Sequence, residues 1–368
     1  MTTTTSRTDP RRSDRLRALS LLLAVGLAVA VLVLGIMVWR AAAGGPTVTA
    51  DVGEQLPLRT DAYGHAVTVQ LPGSQVTVQV GAPVETLGHE LMEIEYDDPE
   101  WDDQQDLAAP DDGSLVPVSW RVQALGGFAR EDDPNPIEVR LVAGDQRVDL
   151  ASIVIGDSSS AIRANDPTSV AVGIEGRPGA EDLRVEVEYD GLTQTAAVES
   201  GEIDAGVAQA LYDGNLNFTS GCSEVPSSCA FVAADPDSPR RPGRATFTAS
   251  NLTLYPYDTT LGWADEGTLW AGVRLQLFGA STVVNAAGDT WFPNRSSAVA
   301  VTLDGAEPVR REGLKASSSG DSVGRVVFRV AADAAPRELV LDQVLSLTGD
   351  GVQGDLPIRA RLPLTQVG

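Results

Sequence analysis

Apolar and polar residues alternate with period two through most of the chain. Val67, Val69 and Leu71 alternate with Thr68 and Gln70, Pro72-Gly73-Ser74 follows, and Val76, Val78 and Val80 alternate with Thr77 and Gln79. Successive side chains of a strand point to opposite faces, so this pattern predicts a hairpin with one buried face. Ile137, Val139 and Leu141 run into Gly144-Asp145, and Val148 and Leu150 return. Leu183, Val185, Val187 and Tyr189 alternate with charged residues until Asp190-Gly191 turns the chain into 192–198. The second half has the same grammar: Leu269, Ala271, Val273, Leu275 and Leu277; then Val299, Val301 and Leu303 before Asp304-Gly305; then Val326, Phe328 and Val330; then Ile358, Ala360, Leu362 and Leu364. No stretch after residue 47 carries a long 3.6-residue period, and 203–211 predicts one or two helical turns at most.

The exception to the alternation is residues 18–39, an apolar run whose only clearly polar member is Ser20. As a helix it spans about 33 Å, enough for a hydrocarbon core of about 30 Å. Arg7, Arg11, Arg12, Arg15 and Arg17 precede it, and after Arg40 no cation appears until Arg59. The positive-inside bias predicts a cytoplasmic tail over 1–17, a transmembrane helix over 18–39, a spacer over 40–47, and an extracytoplasmic remainder. A cleaved signal peptide ending at Ala41-Ala42-Ala43 is the competing reading, but secretory apolar regions are usually shorter, roughly 7–15 residues.

Three segments recur in the same order. SLVPVSWRV from Ser114 matches TLWAGVRLQ from Thr268, and VRLVAGDQRV from Val139 matches VTLDGAEPV from Val301. SVAVGIEGRPGAEDLRVEVEYDG from Ser169 matches VGRVVFRVAADAAPRELVLDQVL from Val323, with Val170 opposite Val326 and Leu183 opposite Leu339. Two copies of one all-β domain, 48–200 and 201–368, is the economical reading.

In the second copy, the strand LWAGVRLQLF, the aromatic stretch DTWFPNR and the strand-loop-strand GRVVFRVAADAAPRELVLD carry a resemblance. It resembles the immunoglobulin-like domain of unknown function found in bacterial surface lipoproteins and membrane-anchored proteins. The resemblance implies a β-sandwich and an envelope location, and it implies no activity. The expected fold is therefore all-β: two tandem immunoglobulin-like antiparallel β-sandwiches behind one N-terminal transmembrane helix.

Charge narrows the partners. Asp and Glu number 51 against 27 Lys and Arg, for a formal charge of −24. Nucleic acid needs clustered cations to meet phosphates, so it is excluded as a partner. Cys222 and Cys229 are the only cysteines, and outside the membrane they are expected to pair. With no further Cys and with His65 and His89 far upstream, no zinc site or other cofactor is expected.

Candidate chemistry is thin. Ile153-Val154-Ile155-Gly156-Asp157-Ser158 is similar to the strand and Gly-Asp-Ser block of lipolytic hydrolases. Those enzymes place their His base downstream, whereas both histidines here lie upstream. Asp97, Asp98, Glu100, Asp102, Asp103, Asp106, Asp111 and Asp112 form an acidic run, with Glu131-Asp132-Asp133 beyond it. Pro99 and Pro110 and the lack of a D-x-D/N-x-D/N-G loop favour a solvated loop; whether it binds Ca²⁺ stays open. Trp263, Trp291 and Phe292 belong to an aromatic concentration in the second copy, readable as core or as a binding surface for sugars or a partner. The expected function is a non-enzymatic, single-pass membrane protein that binds or positions another envelope protein. A glycan-binding module on those aromatics and a hydrolase using Ser158 or Asp102 are the alternatives.

Overall fold

A computed structural model describes residues 47–93, 105–125, 135–154, 168–214, 216–222, 229–318, 320–349 and 352–367. The expected tail, transmembrane helix and most of the spacer, all before residue 47, lie outside the described residues. So do Asp97, Asp98, Glu100, Asp102 and Asp103, Glu131-Asp132-Asp133, and Ile155 to Ser158. Among the described residues no helix is long and apolar enough to cross a membrane.

The protein is all-β: of the described residues 60% lie in strands and 4% in helix, and that helical part is confined to short 3₁₀ turns. The predicted turn at 203–211 is one of these, Gly206–Leu211. The chain condenses into two compact units. Among the described residues, one holds those up to Tyr63 with Gly81–Val118 and Ser169–Gly179, and the other holds those within Gly64–Val80, Ser119–Thr168 and Ala180–Gly368.

The first unit is built on short strands. Thr47–Thr49 runs parallel to Asp106–Ala108, which pairs antiparallel with Thr86–Leu87. Gln55–Pro57 pairs with Val170, Ala171 and Val172. Ala50, Leu58, Leu87, Met92, Leu107, Leu115 and Ala171 form its core.

In the second unit the predicted hairpins form where the turn chemistry places them. Gly64–Leu71 and Ser74–Gly81 are neighbours joined across Pro72-Gly73, with Gly73 at φ 73°. Leu183–Tyr189 pairs with Leu192–Ala197 through Asp190-Gly191, at φ 47° and 77°. Two successive positive φ values define the type I′ turn, which matches the right-handed twist of the strands it joins. The three sets Val67, Val69 and Leu71, then Ile137, Val139 and Leu141, then Leu183, Val185 and Val187 are all buried, as their alternation requires. Tyr212 closes a polar ring between two of these strands. It accepts from the Gln70 N–H at 3.0 Å and donates to Gln194 Oε1 at 2.7 Å, and Gln194 Nε2 donates to the Gln70 carbonyl at 2.8 Å. Burial pushes the Tyr212 hydroxyl above its ordinary pKa, so it stays a donor.

The larger core belongs to the C-terminal part of this unit. A seven-stranded sheet contains β1 (Leu216–Thr219), β2 (Thr246–Ala249), β3 (Leu252–Tyr255), β4 (Thr268–Phe278), β5 (Arg310–Gly313), β6 (Ser322–Ala331) and β7 (Thr365–Val367). Their order is β5-β6-β4-β3-β1-β7, and β2 also pairs with β4. A second sheet has Glu338–Gly349 and Val352–Pro363 as its long hairpin, flanked by Val232–Ala233, Pro293–Ser296 and Ala300–Leu303. The inward residues of β4, Leu269, Ala271, Val273, Leu275 and Leu277, share one core with Leu339, Leu341, Leu345, Ile358 and Leu362 of the facing sheet. The architecture here is sandwich-like, and the expected disulfide is present: Cys222 and Cys229 are bonded with Cα atoms 5.8 Å apart, Cys222 lying within this core.

Candidate ligand-binding cleft

The outward face of the seven-stranded sheet holds the candidate site. Register fixes which side chains share it. Arg274 of β4 stands directly opposite Arg325 of β6, and Arg325 stands opposite Glu312 of β5. One row along, Asn217 of β1, Thr253 of β3, Gly272 of β4, Val327 of β6 and Arg310 of β5 line up. Neighbours two residues apart on a strand point the same way, so both rows face outward while Leu252, Leu254, Val326 and Phe328 face the core.

Residues 256–267 fold back over one end of this face. Tyr257–Asp258 pairs with Gly262–Trp263, and Leu261 and Ala264 pack with Tyr255, Trp270 and Val327 as a small second core. Trp270 Nε1 donates to the Gly262 carbonyl at 2.9 Å, and Arg329 stacks over the Trp270 ring while pairing with Asp265 at 2.6 Å.

Asp258 is the centre of this device. Its side chain is 1% exposed, and a buried carboxylate needs partners for its charge. Oδ1 accepts the Thr260 and Leu261 N–H groups at 3.0 and 3.3 Å, which tightens the turn, and it pairs with Arg310 Nη1. Oδ2 accepts the Tyr255 hydroxyl at 3.2 Å and lies 3.5 Å from Arg325 Nη2. Arg325 Nη2 donates to Tyr255 Oη at 2.8 Å, and its guanidinium sits 5.6 Å from the Tyr255 ring centre. Burial, partly offset by the charge of Arg325, pushes the Tyr255 hydroxyl up to about 12. Tyr255 therefore remains neutral and keeps donating to Asp258.

Beside this cluster opens a cleft of about 790 Å³, lined chiefly by Asn217, Thr253, Tyr255, Arg274, Arg310 and Arg325. Thr253 Oγ1 donates to Asn217 Oδ1 at 2.8 Å, and Ser250 Oγ accepts the Arg274 N–H at 2.9 Å. Among the described residues the Arg274 guanidinium, which is exposed, has no ion-pair partner. Chemically this is a polar groove with a pinned guanidinium, an unoccupied guanidinium beside it, and amide and hydroxyl groups along the floor.

The residues singled out from the sequence lie elsewhere. Trp263 is half-buried, with its ring edge-on to Tyr257 at 5.0 Å and Tyr189 at 6.4 Å. Trp291 packs partly against the larger core, with the Arg240 guanidinium 5.5 Å above its ring. Phe292, next to it, is 67% exposed. Trp263 and Trp291 belong to different small sheets, and Phe292 lies just past the strand Thr290–Trp291. Of the acidic run, Asp106 is described in a cluster with His89 and Glu90. Asp106 Oδ1 accepts the His89 N–H at 3.0 Å and lies 3.2 Å from His89 Nδ1, and Glu90 Oε2 lies 3.7 Å from that nitrogen. The His89 N–H bond holds the Asp106 carboxyl below its usual range. These three side chains could contribute ligand atoms to a metal, but the hydrogen bonds between His89 and Asp106 already account for those two as the brace of the 3₁₀ turn His89–Leu91.

Sequence reasoning did not find Asp258, Arg274, Arg310 or Arg325. The available signal was the outward phase of two predicted strands, which places Arg274 and Arg325 off the core face. No family model matches the chain, and no curated protein matches it.

Proposed function

We propose that this protein is a membrane-tethered, extracytoplasmic recognition protein without enzymatic activity, which binds or positions another envelope protein. The observation that carries the reading is the cleft: three arginines gather on one sheet face of a chain with a formal charge of −24. The anchor is residues 18–39, and the arginine-rich 1–17 put the N-terminus in the cytoplasm. The disulfide supports an oxidising location.

The two halves are tandem immunoglobulin-like sandwiches, of the kind the second half resembles in bacterial surface proteins. Matched pairings support this. Leu183–Tyr189 lies between Leu192–Ala197 and Ile137–Ala143, as Glu338–Gly349 pairs with Val352–Pro363 and with Ala300–Leu303. Thr168–Glu175 neighbours Gly113–Ala124 as β6 neighbours β4. A fold of this kind hosts many functions, and the function here is carried by the cleft.

The test is site-specific photocrosslinking of the full chain in its native membranes. A crosslinker at Asn251, exposed on the cleft, should capture one envelope protein that a crosslinker at Arg184 does not, and purified full chain should rebind it. Absence of an envelope partner, or equal capture from both positions, overturns the reading. The second reading is a glycan module at Trp291 and Phe292, favoured by the open ring of Phe292. Binding to isolated cell wall that is lost in Phe292→Ala would select it.

A further inference from the structure

We propose that the cleft recognises a carboxylate side chain on an extended acidic segment of the protein partner, held between Arg274 and Arg325; this rests on the recognition function proposed above. Four observations lead to it.

The first is the sign of the charge. The cleft lining carries Arg274, Arg310 and Arg325 against Asp258 and Glu312, an excess of cations in a chain with almost twice as many acids as bases. The second is the pairing. Arg274 and Arg325 are directly opposed across two strands, and like charges in that position repel unless an anion lies between them. Arg325 Nη2 lies 3.5 Å from Asp258 Oδ2, and Arg274 forms no ion pair among the described residues. A guanidinium presents five donors in a flat fork that fits a carboxylate bidentately, and both guanidinia line the cleft.

The third is rigidity. Arg325 is fixed by its hydrogen bond to Tyr255 and by stacking on its ring, and Tyr255 is fixed in turn by Asp258 and by lying across Gly272. A donor held in advance loses little freedom on binding. The fourth is shape. The groove is open, its volume lies within the roughly 300–1,000 Å³ of small-ligand sites, and its lining is polar, with Asn251 exposed at its edge. A sugar would need an open ring face, and the aromatic faces here are taken: Tyr255 is 6% exposed and covered by Arg325, and Tyr257 is 8% exposed.

The experiment titrates full-chain protein in detergent micelles with a fluorescent, end-capped hexaglutamate peptide and follows anisotropy. We expect saturable binding that weakens as salt rises, and no binding of the hexaglutamine counterpart. Arg274→Ala should weaken binding about tenfold, as expected for losing a hydrogen-bonded charge pair. Arg274→Lys should recover only part of that loss, because an ammonium cannot fork. Arg184→Ala, on an exposed strand position outside the cleft, should bind as the parent does. Because Arg274 is exposed, its variants should keep the parent's unfolding midpoint. The proposal falls if Arg274→Ala binds like the parent, if hexaglutamine binds equally, if hexaglutamate does not bind, or if oligogalacturonate or inorganic phosphate binds in its place. If hexaglutamate fails while the Asn251 crosslink still captures a partner, the carboxylate chemistry is wrong and the recognition function stands; loss of both removes both.

Discussion

Trp263 donates its indole N–H to the backbone carbonyl of Tyr189 at 2.9 Å, joining residues 74 positions apart. Around this bond the Tyr189, Tyr257 and Trp263 rings meet edge to face, and Asn135 Nδ2 reaches the Tyr257 hydroxyl at 3.3 Å. The indole thus fastens the hairpin that carries Asp258 to the end of the strand Leu183–Tyr189.

Trp263→Phe keeps a ring and removes the donor. It should cost about 1 kcal/mol, the typical net value of one hydrogen bond. Trp263→Ala also removes the packing and should cost about 3 kcal/mol or more. Urea unfolding of both variants checks this, and equal stabilities would mean that the N–H and the ring contribute nothing there.

Gly272 should not tolerate a side chain. A Cβ at that position would sit 2.7 Å from Tyr255 Oη and 2.9 Å from Cε1. Gly272→Ala must push the ring off the sheet and away from Asp258, so we expect about 1–3 kcal/mol of destabilisation, the usual cost of overpacking. A parent-like unfolding midpoint would contradict the placement of Tyr255.

Asp258→Ala leaves Arg310 and Arg325 close together without their shared anion. The expected loss is about 3–5 kcal/mol, as for breaking a buried pair by removing one partner. Calorimetric unfolding of the variant is the measurement, and a loss below 1 kcal/mol would remove Asp258 from the role of brace.

Alkaline stability should depend on Tyr255. Its pKa is 10.0 in an unfolded chain and about 12 in the fold, so between those values the unfolded state has released a proton that the native state retains. Its contribution to stability is therefore complete below about pH 10 and is lost as pH rises towards 12. Urea midpoints measured across that window should fall more steeply for the parent than for Tyr255→Phe; parallel curves would refute the assignment.

Native protein should show no alkylatable thiol at Cys222 or Cys229 by intact mass. The double Cys→Ser variant should lose about 2.5 kcal/mol, the loop-entropy value for a closed loop of this size. Two free thiols in unreduced protein would contradict the bond.

Local chemistry made much of the fold legible without coordinates. Alternation at Val67, Val69 and Leu71, or at Leu269 to Leu277, sets the buried face because a strand has only two sides. Asp190-Gly191 and Asp304-Gly305 announce tight turns because those positions need positive φ, which Asp tolerates and Gly adopts freely. Two cysteines in a chain expected to leave the cytoplasm leave one pairing. The cleft was not legible in this way. Alternation places Arg274 and Arg325 on outward faces, but which outward residues become neighbours is set by strand register and sheet order, and those follow from how whole faces pack. Asp258 reads in the sequence as one more acid among 51, and only the fold-back of 256–267 buries it against Arg310. The sequence by itself thus determined the long alternating strands, their buried sides, the turns that join them and the disulfide, since each depends on residues close along the chain or on having a single partner; the short strands such as Leu252–Tyr255 and Arg310–Gly313 carry too few residues for a pattern. The tertiary structure alone decided the arginine pair, the buried carboxylate and the position of Trp263, because those arise where segments dozens of residues apart are brought together by burial.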